Sequence, residues 1–304
     1  MMKLGIKILL FFIPKLVFGQ IDLTPPLDTA LIFLPNSIST KNHEHSSPSI
    51  NNENQIICWS MWERPQPESP RQLILLLDLK SGKTKVADFS KDYSNGSPIW
   101  IEHDKLLFYS NRPSGSEKTN EIVNDLWTVE KKDSIWTQPQ CLNFSKHTKF
   151  AASPTITKSG TIYFVGFKDS VENNMGIYRA IQNSNGYEIP ELLPKEINSK
   201  FFDWTPYISP DETFLIFSSN RPGSKDNYGD LYISFKDNDN NWSEPINMGN
   251  KINTNKQERF PKISENGQIF FFTRATDNNY DDIFWISSKI IDDIKNKKTT
   301  GNKL

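Results

Sequence analysis

The residues of this chain that could do chemistry are carboxylates, arginines and aromatics recurring at fixed places. Glu44, Asp203 and Glu258 each stand three or four residues before a proline, beside His45, Trp204, Arg259 and Phe260. A second set comprises Arg112, Lys168, Arg221 and Arg274; Arg112 and Arg221 belong to identical Ser-Asn-Arg-Pro stretches at 110–113 and 219–222. Mixed charges beside aromatics suit a polar ligand, because rings supply contact area while Arg and carboxylates orient what is bound. Two carboxylates roughly 5–9.5 Å apart across a sugar would instead make a glycosidase, with Glu44, Asp203 and Glu258 as the available groups. A structural reading competes for Arg112, Arg221 and the recurring Asp125, Asp230 and Asp282, as charge-assisted hydrogen-bond partners that fix loop geometry inside one folded unit. His43-Glu44-His45 would place both imidazoles on one side of an extended segment. No further Cys or His lies in register with them, which favours a solvated loop over a metal site. The chain has neither a Gly-x-Ser-x-Gly elbow nor His-Glu-x-x-His. The expectation is a binding protein without catalysis, cofactor or metal, with a glycoside-active enzyme as the alternative.

The elements that position these residues are repeats. Pro48, Pro98, Pro154, Pro206 and Pro261 follow at intervals of 50, 56, 52 and 55 residues. Each heads Ser/Thr/Phe-Pro-x-Ile or a close variant and an apolar run; the second, fourth and fifth continue through a polar loop to an Asp-Leu/Ile-aromatic segment, the third carries the degenerate Gly176-Ile177-Tyr178, and the complete copies end in an aromatic-x-x-Pro. The second copy carries Leu106-Leu107-Phe108-Tyr109, Asp125-Leu126-Trp127 and Trp136-Thr137-Gln138-Pro139, and the fourth carries Leu215-Ile216-Phe217, Asp230-Leu231-Tyr232 and Trp242-Ser243-Glu244-Pro245. Such a period, with about four short β-type runs and no sustained helical spacing, predicts propeller blades of four strands. The fold class is therefore all-β, a single β-propeller of five blades, or six if two irregular units are merged. Trp127, Trp136, Tyr178, Tyr232, Trp242 and Phe284 should pack between blades.

Ring closure is also written in the sequence. Leu34-Pro35-Asn36-Ser37-Ile38 matches the runs that end other repeats, Leu193-Pro194-Lys195-Glu196-Ile197 and Met248-Gly249-Asn250-Lys251-Ile252. The last repeat supplies three strands, so Ala30–Phe33 should complete it and leave no open edge. Antiparallel alternation then puts the loops bearing Arg112, Lys168, Arg221 and Arg274 on one face with the segments that precede each repeat proline.

The run from Ser209-Pro210-Asp211 through Leu215-Ile216-Phe217-Ser218-Ser219-Asn220-Arg221-Pro222-Gly223 to Asp230-Leu231-Tyr232 resembles the WD-repeat-like β-propeller repeat of the TolB type. The resemblance spans Leu34 to Ser287. It implies an exported interaction module that recognises a protein, peptide or glycan on its loop-rich face.

Composition bounds the rest. With 35 basic and 36 acidic residues the formal net charge is −1, which gives no field to recruit nucleic acid or an anionic membrane. Lys3 and Lys7, then a largely apolar stretch to Phe18 and Gly19, describe a secretory signal peptide over 1–19, too short for the ~20 residues of a membrane span. The propeller is placed at 20–289 and a frayed Lys-rich polar tail at 290–304. Export to the periplasm or beyond, no membrane insertion and a monomeric state are the expectations. Cys58 and Cys141 fall in different repeats and read as separate thiols, though export would permit a disulfide.

Overall fold

The computed structural model describes residues 21–62, 71–114, 124–144, 147–167, 175–225, 229–277 and 280–300, without the side chains of 298–300. Residues 1–19, read above as a signal peptide, and Lys168 lie outside the described residues. The chain forms a five-bladed β-propeller. Blade 1 runs Glu44–Asn51, Ile56–Trp62, Gln72–Asp78 and Lys83–Val86 from the channel outward. Blade 2 runs Asn95–Glu102, Lys105–Ser110, Asp125–Lys132 and Gln140–Cys141, with a short extra strand at Ile135–Trp136. Blade 3 uses Phe150–Ile156, Ile162–Phe167, Met175–Ala180 and Glu191–Leu192, and blade 4 uses Asp203–Ile208, Phe214–Ser219, Asp230–Phe235 and Ile246–Asn247. In blade 5, Glu258–Ile263, Ile269–Ala275 and Asp281–Ser287 are joined by Leu31–Ile32 as the outermost strand. The five inner strands contact one another in cyclic order.

Closure occurs where the repeat pattern locates it. Leu31 pairs with Trp285 and Ile32 with Phe284, and the Phe33 amide donates to the Ile283 carbonyl at 2.8 Å. Phe33 and Ile38 are fully buried, Phe33 against Phe271 and Trp285. Ile38, Ile197 and Ile252, the isoleucines of the three matching runs, all have zero exposure. Each pins the passage from one blade's outer strand to the next blade's inner strand.

The repeat prolines have a common geometric cause. In all five inner strands the pairing register slips at this point. The residue before each proline, Ser47, Ser97, Ser153, Thr205 or Phe260, has a positive φ of 46–52°. Proline lacks the N–H that a regular ladder would use, so it fits a bulge on a strand whose other edge lines the channel. Small hydroxyl residues carry this left-handed conformation in four blades. Phe260 is the bulky exception.

One feature differs from the sequence reading. Residues Lys289–Thr300 form an α-helix instead of a frayed tail. Ile290, Ile291 and Ile294 are buried on Phe270, Phe272 and Ile286 of blade 5 and on blade 4, because spacings of three and four residues put apolar side chains on one helical face. The two cysteines are separate thiols, as read: Cys58 is buried and bonds the Ser49 carbonyl, and Cys141 bonds Asp125. No helix among the described residues is long and apolar enough to cross a membrane.

Candidate functional site

The upper face gathers the inner-strand starts and the loops after each second strand, and most of the charged residues singled out in the sequence meet there as braces. Arg221 donates from Nε to Ser219 Oγ at 3.0 Å and from one terminal nitrogen to Asp203 Oδ1 at 2.7 Å and the Ile197 carbonyl at 2.8 Å. Its guanidinium lies over Phe217 and Tyr232. Arg274 repeats the arrangement in blade 5, with Glu258 Oε1 at 2.8 Å, the Ile252 carbonyl at 2.7 Å, and Phe272 and Phe284 as its aromatic neighbours. Arg112 does so in blade 2, where neutral Asn95 replaces the carboxylate at 2.9 Å and Phe108 and Trp127 flank the cation. In blade 1 the equivalent inner-strand residue is His45, which accepts from Trp59 Nε1 at 3.1 Å. Burial pushes its imidazole down to about 4, so it is neutral near pH 7.

These contacts redirect several expectations. Asp203 is 3% exposed and Glu258 is 0% exposed. Both are acceptors in blade-internal ion pairs, so neither offers a solvent-facing carboxylate to a ligand. Arg221 and Arg274 are the matching donors, and Arg112 serves neutral Asn95 and the Phe89 carbonyl. Asp125, Asp230 and Asp282 likewise sit at the starts of third strands; Asp230 accepts from Asn247 at 2.7 Å, and burial raises its carboxyl. Burial also pushes Asp282 up to about 6. His43 Nδ1 and His45 Nε2 both meet Thr40 Oγ1, at 3.1 and 2.9 Å, a local hydroxyl network. Among the described residues no three His, Cys, Asp or Glu side chains converge as metal ligands. Glu44 begins the inner strand of blade 1, half-buried and paired in register with Trp62.

The blades stop being equivalent two residues before each proline. Three carry Ser46, Gly96 and Ala152 there, whereas adjacent blades 4 and 5 carry Trp204 and Arg259. Trp204 packs edge-on to Phe202 with ring centres 4.9 Å apart, and Phe202 is 47% exposed. Arg259 pairs with Asp281 and lies over Phe260, the residue in the strained backbone position. Trp204 Nε1 and Arg259 Nε are buried donors with no hydrogen-bond partner, and Glu258 Oε2 is a buried acceptor with none. Burial raises the Glu258 carboxyl against the opposing pull of Thr254 and Arg274. This patch combines one exposed ring, Phe202, with the half-buried Trp204, two buried unpartnered donors and a buried unpartnered carboxyl oxygen.

Sequence reasoning missed Lys262, one residue past the blade 5 proline. Its ammonium reaches across the ring to the Pro154 carbonyl of blade 3 at 2.9 Å and is 4% exposed. A lysine in Phe-Pro-Lys-Ile carries no signal that its side chain is buried. Burial lowers it to about 7, against a smaller opposing pull from Cys58. The unfolded chain therefore binds a proton that the folded protein lacks between pH ~10.5 and ~7. The stability this group contributes is present at high pH and is lost as pH falls toward 7. The urea midpoint should climb from pH 7 to pH 9.5 in the parent and stay level in Lys262→Met, which should be the more stable of the two at pH 7. Parallel slopes for the two proteins would refute this account.

No family model matches the sequence, and no curated protein matches it. Solved structures do. A TolB-like protein from Agrobacterium tumefaciens superposes with a TM-score of 0.51 at 13% identity, over 78% of this chain and 72% of that one. An α-L-arabinofuranosidase from Lactobacillus brevis gives 0.53 at 12% identity, over 82% and 92%. An α-L-arabinofuranosidase from Podospora anserina, solved with cellotriose, gives 0.52 at 10% identity, over 87% and 97%. Likeness at these identities establishes the fold. It also corrects the expectation of a chain without catalysis: glycoside hydrolases share this architecture, so missing nucleophile and metal motifs do not set the chain apart from enzymes.

Proposed function

We propose that the upper face recognises a glycan, with Phe202 and Trp204 as the stacking surface and Arg259 as the orienting donor. The observation that carries this reading is the break in blade equivalence, where Trp204 and Arg259 stand side by side in blades 4 and 5 opposite Ser46, Gly96 and Ala152. A sugar ring presents C–H faces to aromatics and hydroxyl oxygens to N–H groups, and both kinds of partner meet here. The strained Phe260 backbone adds weight, since such conformations gather at functional sites. The N-terminal basic-then-apolar pattern supports delivery of the protein outside the cytoplasm.

Glu258 favours a second reading, hydrolysis of a glycosidic bond. Its Oε2 lacks a partner and its carboxyl is shifted toward the neutral acid, so it would serve as a proton donor to a leaving group only where a bound sugar opens this fully buried position. A glycan and peptide array probed with the purified protein tests both readings. Trp204→Ala and Arg259→Ala should each weaken retention of bound glycans roughly ten-fold, the loss of one well-packed anchor, with folding unchanged by circular dichroism. Retention of peptides alone, or equal glycan retention by the variants, would overturn the glycan reading. Sugar release that vanishes in Glu258→Gln while binding persists would establish the hydrolytic one.

A further inference from the structure

A cavity of about 340 Å³ lies between the crossover at 88–93, which leads from blade 1 into blade 2, and the edge of blade 2 at 134–139. Arg112, 8% exposed, lines it. The braces of the other blades show what is unusual about this arginine. Arg221 has Asp203 at 2.7 Å and Arg274 has Glu258 at 2.8 Å, so each of those buried cations is neutralised within its own blade. Arg112 instead meets the neutral amide of Asn95 at 2.9 Å, and among the described residues it makes no ion pair. Its Nε donates to Ser110 and one terminal nitrogen to Asn95 and the Phe89 carbonyl. The other terminal nitrogen has no acceptor among the described residues, on a side chain that borders open space.

The surroundings add further unmet donors. The indole Nε1 of Trp127, whose ring lies 5.3 Å from the guanidinium, is buried without an acceptor. So is that of Trp100, which stacks on Trp136 of the cavity wall. Apolar surface faces the same space: Tyr93, 39% exposed, has the Arg112 guanidinium 5.1 Å from its ring, and Ile135 of the lining is 73% exposed. Two acidic side chains limit how much negative charge can enter. Asp88 is tied to Lys91 at 2.8 Å, whereas Asp92 lines the cavity and acts on Arg112 without an ion pair among the described residues.

We infer that this cavity binds a flat monocarboxylate, with its carboxylate on Arg112 and its apolar body against Tyr93 and Ile135. The ligand supplies the negative charge that Asp203 and Glu258 supply in blades 4 and 5, and so relieves a buried cation that lacks a counter-charge. A planar carboxylate matches the fork of a guanidinium, and covering Tyr93 and Ile135 removes apolar surface from water. One negative charge balances Arg112, but a second would face Asp92, which sets a monoanion above a dianion. The volume falls at the small end of the range for ligand pockets, the size of a single ring with its substituent. This site belongs to blades 1 and 2 and stands apart from the Trp204 and Arg259 patch of blades 4 and 5.

Isothermal titration of the full protein with benzoate, benzamide, phthalate and inorganic phosphate tests the inference. Benzoate should bind saturably and roughly ten-fold tighter than benzamide, the margin of a charge-assisted hydrogen bond over a neutral one, with phthalate and phosphate weaker than benzoate. In a methyl-labelled sample, benzoate should shift the Ile135 methyl resonances, because an aromatic ring settles beside them. Tyr93→Ala should weaken benzoate and benzamide alike and leave glycan retention on the upper face unchanged. Asn95→Asp, which places a carboxylate beside Arg112, should remove the preference for benzoate over benzamide, and its urea midpoint verifies that it folds. Equal affinity for benzoate and benzamide, tighter binding of phthalate or phosphate, no saturable binding, or binding that leaves Ile135 unmoved would each overturn the inference. So would a folded Asn95→Asp that keeps the preference. An unfolded Asn95→Asp leaves the ligand comparison and the Ile135 signal to decide.

Discussion

Asp203→Ala should lower the stability of this protein by ~3–5 kcal/mol, the usual cost of removing one partner from a buried ion pair. Arg221 would keep its charge in the same enclosed place, between Phe217 and Tyr232, with only carbonyl and hydroxyl acceptors left to it. The loss also spreads beyond the pair. The Asp203 carboxylate accepts from Ser199 and Ser219 as well as Arg221, so it ties the outer end of blade 3 to the inner strand of blade 4. The double variant Asp203→Ala/Arg221→Met should recover part of the deficit, since an apolar replacement leaves no buried charge unmatched. Urea unfolding of the parent, both single variants and the double variant measures the cycle. A single variant within about 0.5 kcal/mol of the parent, the scale of an ordinary surface change, would show that the brace contributes little.

Phe33→Ala should be comparably severe, at ~3–5 kcal/mol for a fully buried phenylalanine. Phe33 has Phe271 at 4.8 Å and Trp285 at 5.2 Å, and its own amide holds the Ile283 carbonyl. Weakening it loosens the pairing between the segment at 31–32 and the last blade, which bares a strand edge with free backbone groups. The variant should therefore aggregate on heating as well as unfold earlier. Leu31→Ala is the matched control, because Leu31 is 54% exposed on the outer side of the same strand and should change stability by less than ~0.5 kcal/mol. Differential scanning calorimetry and light scattering separate the two outcomes; equal behaviour of both variants would count against this closure.

Much of the architecture was legible because the repeat imposes it. The five prolines, the Asp-Leu/Ile-aromatic segments and the Leu-Pro…Ile runs locate five blades and the closing strand, and each has a local cause: the inner-strand bulge, the start of a third strand and the buried isoleucine. The helix at 289–300 was hidden by its lysines and aspartates, which dominate its composition while three isoleucines decide its packing. The site was legible in part. Residue types marked Asp203, Glu258, Arg112, Arg221 and Arg274 as important. Which way each side chain points is set by the bulge, and that depends on backbone geometry that no residue letter states. Trp204 and Arg259 stand out once the blades are aligned on their prolines, since position within the repeat distinguishes them. The burial of Lys262 remained unreadable, because it arises from a contact between blades far apart in sequence.

The pairing of Leu31 with Trp285 joins positions separated by roughly 250 residues. During synthesis, the earliest ordered strand has no partner until nearly the whole polypeptide has emerged. Closure over such a distance in sequence costs loop entropy before it returns contact energy, which slows folding relative to chains held by local contacts. The same proximity makes the molecule a natural host for circular permutation, with residues 26 and 287 already joined by a hydrogen bond from the Ser287 amide to the Pro26 carbonyl.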